Sequence, residues 1–282
     1  MIKKAVSVFY RAAVQFSTKG GWIMSSYVAM SAMLALFPFI LFVVSLAGAA
    51  SHPLVVDDLI ALIFGAWPEA IADPIEVEIR AVIASSSQNL ITIGGVMAIV
   101  FASNGTNAVR EAMSRAYRES DPRPFWKQRL ISLIFVIVGA VAVLVFISVG
   151  LALPVYLEYA NAVTPDLYNA LFKNEFPLLL LTGVLVLVGV TSCHLWLPYG
   201  AHPFRKIWPG VLVTIGLWIA AANGFSIYIT KFASYSVTYA GLAGAMGTLI
   251  FLNLMSAILI FGAEFNNALA EVYEADTVKV IT

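Results

Sequence analysis

The segment from Ala240 to Ala263 constrains the fold of this chain most, because it contains 24 residues without a charged side chain. At about 1.5 Å per residue, a helix of that length spans about 36 Å, enough to cross a hydrocarbon layer of about 30 Å. Inside a bilayer the backbone polar groups need internal partners, which an α-helix supplies. The segment therefore predicts a transmembrane helix.

The composition extends this prediction to the whole chain. Of its 282 residues, 61% are hydrophobic and 11% are charged, whereas soluble domains carry about 25% charged residues. Five further long apolar segments precede the last one. We therefore predict an all-α fold, a polytopic transmembrane helix bundle in a single domain over residues 1–282. The six predicted spans are about 23–50, 90–109, 130–153, 176–197, 207–230 and 240–263.

The distribution of Lys and Arg predicts the orientation of these spans. With both termini on one side, that side holds thirteen of the sixteen basic residues and the other side holds three. Short cytoplasmic loops are enriched in Lys and Arg, so both termini are predicted to be cytoplasmic.

Two segments outside the spans show helical spacing of apolar residues. The acidic loop 51–89 predicts short amphipathic helices in the periplasmic loops. Residues 1–21 are basic and partly amphipathic, which predicts a helix at the membrane surface or an extramembrane segment without a special role.

The sequence shows no pattern typical of a metal or cofactor enzyme. The three histidines, His52, His194 and His202, lack the spacing of a metal site, and Cys193 is the one cysteine. No phosphate-binding loop is present. We therefore expect no catalytic residues, no metal, no cofactor and no enzymatic activity. A remote alternative is a membrane-associated ribonuclease.

A basic loop follows the second predicted span. A net charge of zero does not suggest a nucleic-acid partner, although aromatic residues lie between these cations. The position of the loop between two spans favours contact with anionic lipid headgroups at the cytoplasmic face, and we expect no nucleic acid. The basic residues are Arg110, Arg115, Arg118, Arg123, Lys127 and Arg129.

Polar side chains inside or beside the spans are the candidate functional residues, because they are costly in lipid. Each can instead form hydrogen bonds between helices. For Glu264, at the end of the last span, the alternatives are pairing with a loop cation and an ion or proton role. Pro38 predicts a kink in the first span. The polar candidates are Asn104, Asn107, Asn223, Asn253 and Glu264.

Small residues recur four apart at the start of the last span. This spacing lets two helix backbones approach closely, either in the core of the monomer or at a dimer face. Core packing is the preferred interpretation, and a homo-oligomer stays open. The residues are Ala240, Gly241, Gly244, Ala245 and Thr248.

Several motifs together resemble the YihY/BrkB family of bacterial inner-membrane proteins. In chain order they are Leu36-Phe37-Pro38, Asn107 to Arg110, Ala116-Tyr117-Arg118, Trp208-Pro209-Gly210, Phe225 with Tyr228, and Gly262 to Asn266. The resemblance implies about six spans in the bacterial inner membrane. Some members are linked to virulence or serum resistance, and many carry an old ribonuclease BN name that is regarded as a misassignment. Transport has been suggested for the family, whose molecular activity is unsettled.

The polar spans, the predicted kink and Glu264 favour transport or export of a small or lipidic solute. The alternative is an envelope scaffold, assembly or resistance factor that acts without transport. The sequence does not indicate the substrate, the direction or the energy coupling.

Overall fold

A computed structural model describes residues 2–49, 73, 76–77, 88–118, 121–163, 176–200, 203–232 and 240–281. Every regular element in these ranges is helical, which confirms the all-α prediction. The long helices are α1 (Ile2–Thr18), α2 (Gly21–Ala49), α3 (Gln88–Ala116), α4 (Phe125–Val163), α5 (Phe176–Trp196), α6 (Phe204–Phe232) and α7 (Ala240–Ile281).

Each predicted span coincides with one of the helices α2 to α7. Four helices contain segments that are long and apolar enough to cross a membrane, and α2 contributes a shorter apolar segment, Gly21–Leu36. The count of six spans and their orientation therefore stay predictions. The four segments are Phe125–Ala142, Leu179–Trp196, Phe204–Tyr228 and Met246–Tyr273.

Two prolines have different effects on the helices. Helix α5 ends at Trp196, before Pro198, whereas α4 continues through Pro154 to Val163, ten residues beyond the predicted end of the third span at 153. A proline removes one N–H donor but does not force a chain out of its helix in an apolar environment. Pro38 is buried within the continuous helix α2, and the kink there stays a prediction.

The amphipathic helices predicted over 51–89 fall almost entirely outside the described residues. Within that range, Asp73, Glu76 and Val77 are helical.

Small residues bring the central helices together. Helix α3 buries Ala108, Ala112 and Ala116, and a Cβ atom at Gly105 would lie 3.7 Å from the carbonyl oxygen of Ser31 on α2. The pair α2 and α3 forms the most extensive helix contact in the described part, and α7 packs against α2 and α6. Helices in lipid have no hydrophobic driving force for association, so close packing of their backbones contributes much of the stabilisation.

Helices α4 and α5 present apolar side chains to the outside of the bundle. Exposed residues on α4 include Ile134, Ile137 and Val141, and those on α5 include Leu180 and Val184. Such surfaces are expected where a helix faces acyl chains. They support placement of both helices in a bilayer.

The last helix extends well beyond its predicted end at Ala263. Helix α7 has 42 residues, and its extension packs against the first helix. Val8 and Ala12 of α1 are buried in this contact, together with Ala268 of α7. The apolar spacing in residues 1–21 therefore serves partly for packing on α7.

Candidate functional site

Polar side chains and backbone groups from helices α3 to α7 meet at one end of the bundle, which we call the charged end. It contains the C-terminal turns of α3 and α5, the start of α4 and α6, and the part of α7 around Glu264. The sequence separates these segments widely, but hydrogen bonds join them in space.

Arg118 and Glu264 form the first connection at this end. The guanidinium of Arg118 donates two hydrogen bonds to the carboxylate of Glu264, at 2.9 and 2.5 Å. Glu264 is buried, so its charge depends on this partner. Of the two sequence alternatives for Glu264, the structure shows the pairing with a loop cation.

The backbone of Arg118 has a φ of 62°, which is uncommon outside glycine. It lies two residues after Ala116, the last residue of α3, in the region where a left-handed residue often ends a helix. Its guanidinium also donates to the carbonyl oxygens of Arg115 and Ala116, at 3.1 and 3.2 Å. One side chain thus satisfies carbonyls at the end of α3 and binds α7.

Arg110 is the second connection and is 4% exposed. Its guanidinium contacts the carboxylate of Asp121, the Oε1 of Gln128 at 2.7 Å and the Oδ1 of Asn107 at 3.0 Å. A buried guanidinium needs such complete pairing, since an unpaired buried charge is strongly destabilising. Arg110 therefore joins α3 to the beginning of α4.

Asp121 is held by two arginines. Burial acts to raise the pKa of its carboxyl, but hydrogen bonds from Arg123 and the charges of Arg123 and Arg110 hold that pKa below its usual value. Asp121 therefore remains a carboxylate at neutral pH. Arg123 also donates to the carbonyl oxygen of Leu197 at 3.4 Å, which connects this pair to the end of α5.

Asn266 is the third connection and bridges α3, α6 and α7. Its Oδ1 accepts the N–H of Gly210 at 2.7 Å, and its Nδ2 donates to Ile207 O at 2.9 Å and to the hydroxyl of Tyr117 at 3.0 Å. The same hydroxyl lies 2.7 Å from Nδ1 of His194 on α5. The side chain of one asparagine thus meets donors and acceptors from two other helices.

Sequence reasoning missed Asn266, Tyr117, His194, Asp121 and Gln128 as interacting residues. Three of the motifs that carried the family resemblance converge here, namely those around Tyr117, Gly210 and Asn266. Their convergence could not be derived from spacing, because it depends on tertiary packing. The clearest local signal was the Pro209-Gly210 pair in the second turn of α6, where a regular helix is weakened.

An apolar cavity of about 310 Å³ lies between α2, α3, α4 and α5. Alanine and glycine residues on α2 and α3 create the space, Phe135 of α4 contributes to the lining, and the cavity is open rather than enclosed. The lining consists of Val28, Ala32, Ala35, Leu36, Ala102, Gly105, Thr106, Val109, Phe135, Cys193 and Leu197. The volume is at the lower end of the range of about 300–1,000 Å³ for small-molecule sites.

The five polar candidates do not form one site. Asn107 belongs to the Arg110 network, and Asn104 accepts from Arg129 at 2.5 Å. Asn253 donates to Ser26 of α2 at 2.9 Å, and Asn223 is exposed and donates to its own helix at 2.7 Å. None of them lines the cavity.

The remaining predicted residues have different surroundings. Arg115 pairs with Glu111 on the surface at 2.7 Å, and Lys127 is exposed. Thr248 is buried, as expected for helix packing. Ala240, Gly241, Gly244 and Ala245 are helical, but their side chains lie outside what the structure describes.

Long apolar helices, a buried ion-paired end and an apolar cavity define this protein as an α-helical membrane protein. The family model for Virulence factor BrkB matches residues 12–279. The chain therefore belongs to the BrkB family, which confirms the resemblance found in the sequence.

Three relatives cover most of the chain. A ribonuclease-like protein named YfkH from Bacillus subtilis (strain 168) is 29% identical over 86% of this chain and 87% of its own length. UPF0761 membrane proteins from Alteromonas mediterranea and Pseudoalteromonas atlantica are 24% and 22% identical over 89% and 98% of this chain, and over 84% and 90% of their own lengths. No solved structure matches.

A metal-dependent hydrolase needs a cluster of metal-ligating side chains. Within the described ranges, no group of three or more His, Cys, Asp and Glu side chains could hold a metal ion. The absence of enzymatic activity stays a prediction.

Proposed function

We propose that this protein binds a small apolar or lipidic solute in the cavity between α2, α3, α4 and α5 and moves it across or within the bacterial inner membrane. The observation that carries the proposal is the cavity itself. Its lining is aliphatic and aromatic apart from the hydroxyl of Thr106 and the thiol of Cys193, so it suits an alkyl segment and disfavours a charged group.

The cavity adjoins the polar network at the charged end. Val109 and Leu197 line the cavity, the residue after Val109 is Arg110, and the carbonyl of Leu197 accepts a hydrogen bond from Arg123. An amphiphile with its alkyl segment in the cavity would therefore have the ion-paired groups of the charged end within reach, beside Val109 and Leu197. This placement supports an amphiphilic solute over a purely polar one.

Filling the cavity tests the proposal. In the Ala102→Leu variant, the added side chain occupies the space, and we expect the rate of lipid-analogue movement in proteoliposomes to fall at least about tenfold, a change worth about 1.4 kcal/mol in the barrier. The measurement is dithionite quenching of a fluorescent phospholipid in vesicles with and without protein. Ala140→Leu, on the exposed face of α4, is the matched control. Equal rates for wild type, Ala102→Leu and protein-free vesicles would contradict the proposal.

We also infer that helix α1 contacts the cytoplasmic leaflet of the membrane. Opposite its buried residues, α1 exposes Val6, Tyr10 and Val14, and Trp22 is exposed at the start of α2. Arg11 lies on the adjoining exposed sector. An apolar strip beside a cation fits the boundary between acyl chains and anionic lipid headgroups. This placement requires both termini to be cytoplasmic, as the distribution of Lys and Arg predicts.

Spin labels on α1 test this placement in a Cys193→Ala background. We expect a label at position 10 to be accessible to oxygen and protected from a water-soluble nickel chelate, and a label at position 11 to show the reverse. Reconstitution into nanodiscs with and without anionic lipid measures the headgroup dependence. Equal nickel accessibility at the two positions would contradict an interfacial α1.

A second candidate function is that of an envelope scaffold or assembly factor. The observation that favours it is the extension of α7 to Ile281 with α1 packed against it, which forms a rigid surface at the charged end. This function predicts a stable partner after mild solubilisation and no loss of activity when the cavity is filled. A homo-oligomer is compatible with both proposals, and neither requires a nuclease activity, a metal or a cofactor.

A further inference from the structure

Ser103 and Ser132 differ from the other buried hydroxyl residues of the described helices. Ser25 and Thr214 each donate a hydrogen bond to the carbonyl oxygen four residues earlier, at 2.7 and 2.8 Å. The Oγ atoms of Ser103 and Ser132 are equally buried, yet they have no hydrogen-bond partner in the described part of the chain. A buried hydroxyl without a partner is destabilising, so both oxygens require a ligand.

The two serines lie on the polar sides of neighbouring helices. On α3, Ser103 shares a face with Asn107 and Arg110, at helical spacing of four and seven residues. On α4, Ser132 is one turn beyond Gln128, which accepts a hydrogen bond from Arg110 at 2.7 Å. A short connection makes α3 and α4 antiparallel neighbours. Both serines therefore lie farther from the charged end, and deeper in the bundle, than the Arg110–Gln128 pair.

This polar side adjoins the cavity but is not part of its lining, since the cavity residues Thr106 and Phe135 lie three residues after Ser103 and Ser132. The cavity residues Ala102, Gly105 and Val109 occupy a different face of α3, and neither serine lines the cavity. At a rise of about 1.5 Å per residue, Ser103 lies about 10 Å along α3 from Arg110, and Ser132 lies about 6 Å along α4 from Gln128. Their separation along the bundle axis is then on the order of 5 Å, which a water molecule with two hydrogen bonds can bridge.

We propose that the contact between α3 and α4 is a hydration site that binds one or two water molecules between Ser103 and Ser132. The water donates to and accepts from the two hydroxyls, and it extends the polar network of Arg110 and Asn107 into the bundle. The ligand is water because the site is buried and small and offers neutral hydroxyls. The inference does not depend on solute transport through the cavity.

A double-mutant cycle tests this proposal. Ser103→Ala and Ser132→Ala are each expected to lower the thermal midpoint Tm of the purified protein, and the double variant to lower it by clearly less than the two shifts added together. Coupling is expected because either substitution removes a partner of the same water. Ser25→Ala, at an equally buried residue, should show no coupling with either. Additive shifts, or a rise in Tm in both single variants, would overturn the proposal.

Hydroxyl-radical footprinting gives a second readout that does not depend on stability. Side chains beside bound water are modified even when they are buried, so we expect modification of Val136, one turn beyond Ser132 and not among the cavity residues, to fall at least about threefold in the double variant. In Ser25→Ala it should match the wild-type level. Unchanged modification of Val136 in the double variant would show that no water is bound there and would refute the site.

Discussion

A methyl group added at Gly262 is expected to destabilise the bundle severely. The Cβ atom would lie 2.0 Å from Oγ1 of Thr214 and 2.8 Å from the carbonyl oxygen of Gly210, and these two atoms are themselves hydrogen-bonded. Helices α6 and α7 would have to separate, which would also strain the bond from Gly210 to Asn266. Overpacking costs about 1–3 kcal/mol, and we expect Gly262→Ala to reach the upper end, about 3 kcal/mol.

The free energy of unfolding of Gly262→Ala can be measured by titrating the purified protein in mixed micelles with a denaturing detergent. Gly216→Ala is the matched control, because it lies on α6 and its added Cβ would meet nothing within 4 Å. The control should unfold at the same detergent fraction as wild type or slightly higher, since alanine favours a helix. Equal stability of Gly262→Ala and wild type would refute the close crossing of α6 and α7.

Removal of the Arg118 guanidinium should have the second largest effect. Arg118→Met leaves the carboxylate of Glu264, with a 4% exposed side chain, without its bidentate partner. Removing one partner of a buried ion pair lowers the free energy of unfolding by about 3–5 kcal/mol. Because Arg118 is partly exposed, we expect a loss of about 3 kcal/mol. The same titration measures the loss.

Two further variants identify the cause of that loss. Arg115→Met breaks an exposed pair with Glu111 and should change the unfolding free energy by less than about 1 kcal/mol. The double variant Arg118→Met with Glu264→Gln should recover part of the stability, because no unpaired charge remains. If Arg118→Met is no less stable than Arg115→Met, the Arg118–Glu264 pair does not stabilise the charged end.

The helices could be predicted from the sequence because the membrane imposes their length and composition. Long uncharged segments such as Ala240–Ala263 leave one regular structure in lipid, and each predicted span coincides with a helix. Helix ends were less predictable. Helix α7 continues past Glu264 because its apolar residues Phe265, Ala268 and Leu269 pack against α1, a contact that the predicted span did not include.

The polar site could be predicted only in part. Asn107 and Glu264 were predicted as candidates because polar residues in spans are costly in lipid. Arg110 and Arg118 were predicted to contact lipid headgroups, but they pair with Asp121 and Glu264 within the protein. Their partners could not be predicted, since Asn266 meets Gly210 only through the crossing of two helices. The cavity was also unpredictable, because an alanine can equally mark close packing or open space.

Photo-crosslinking of a lipid analogue is the most direct test of the proposed lipid site. A phospholipid with a diazirine in its acyl chain is reconstituted with the protein, irradiated and mapped by mass spectrometry, with and without excess unlabelled lipid. We predict competable crosslinks at the cavity residues 28–36, 102–109 and 193–197, and their loss in Ala102→Leu but not in Ala140→Leu. Crosslinks confined to the outer faces of α4 and α5, unaffected by Ala102→Leu, would contradict a solute site in the cavity.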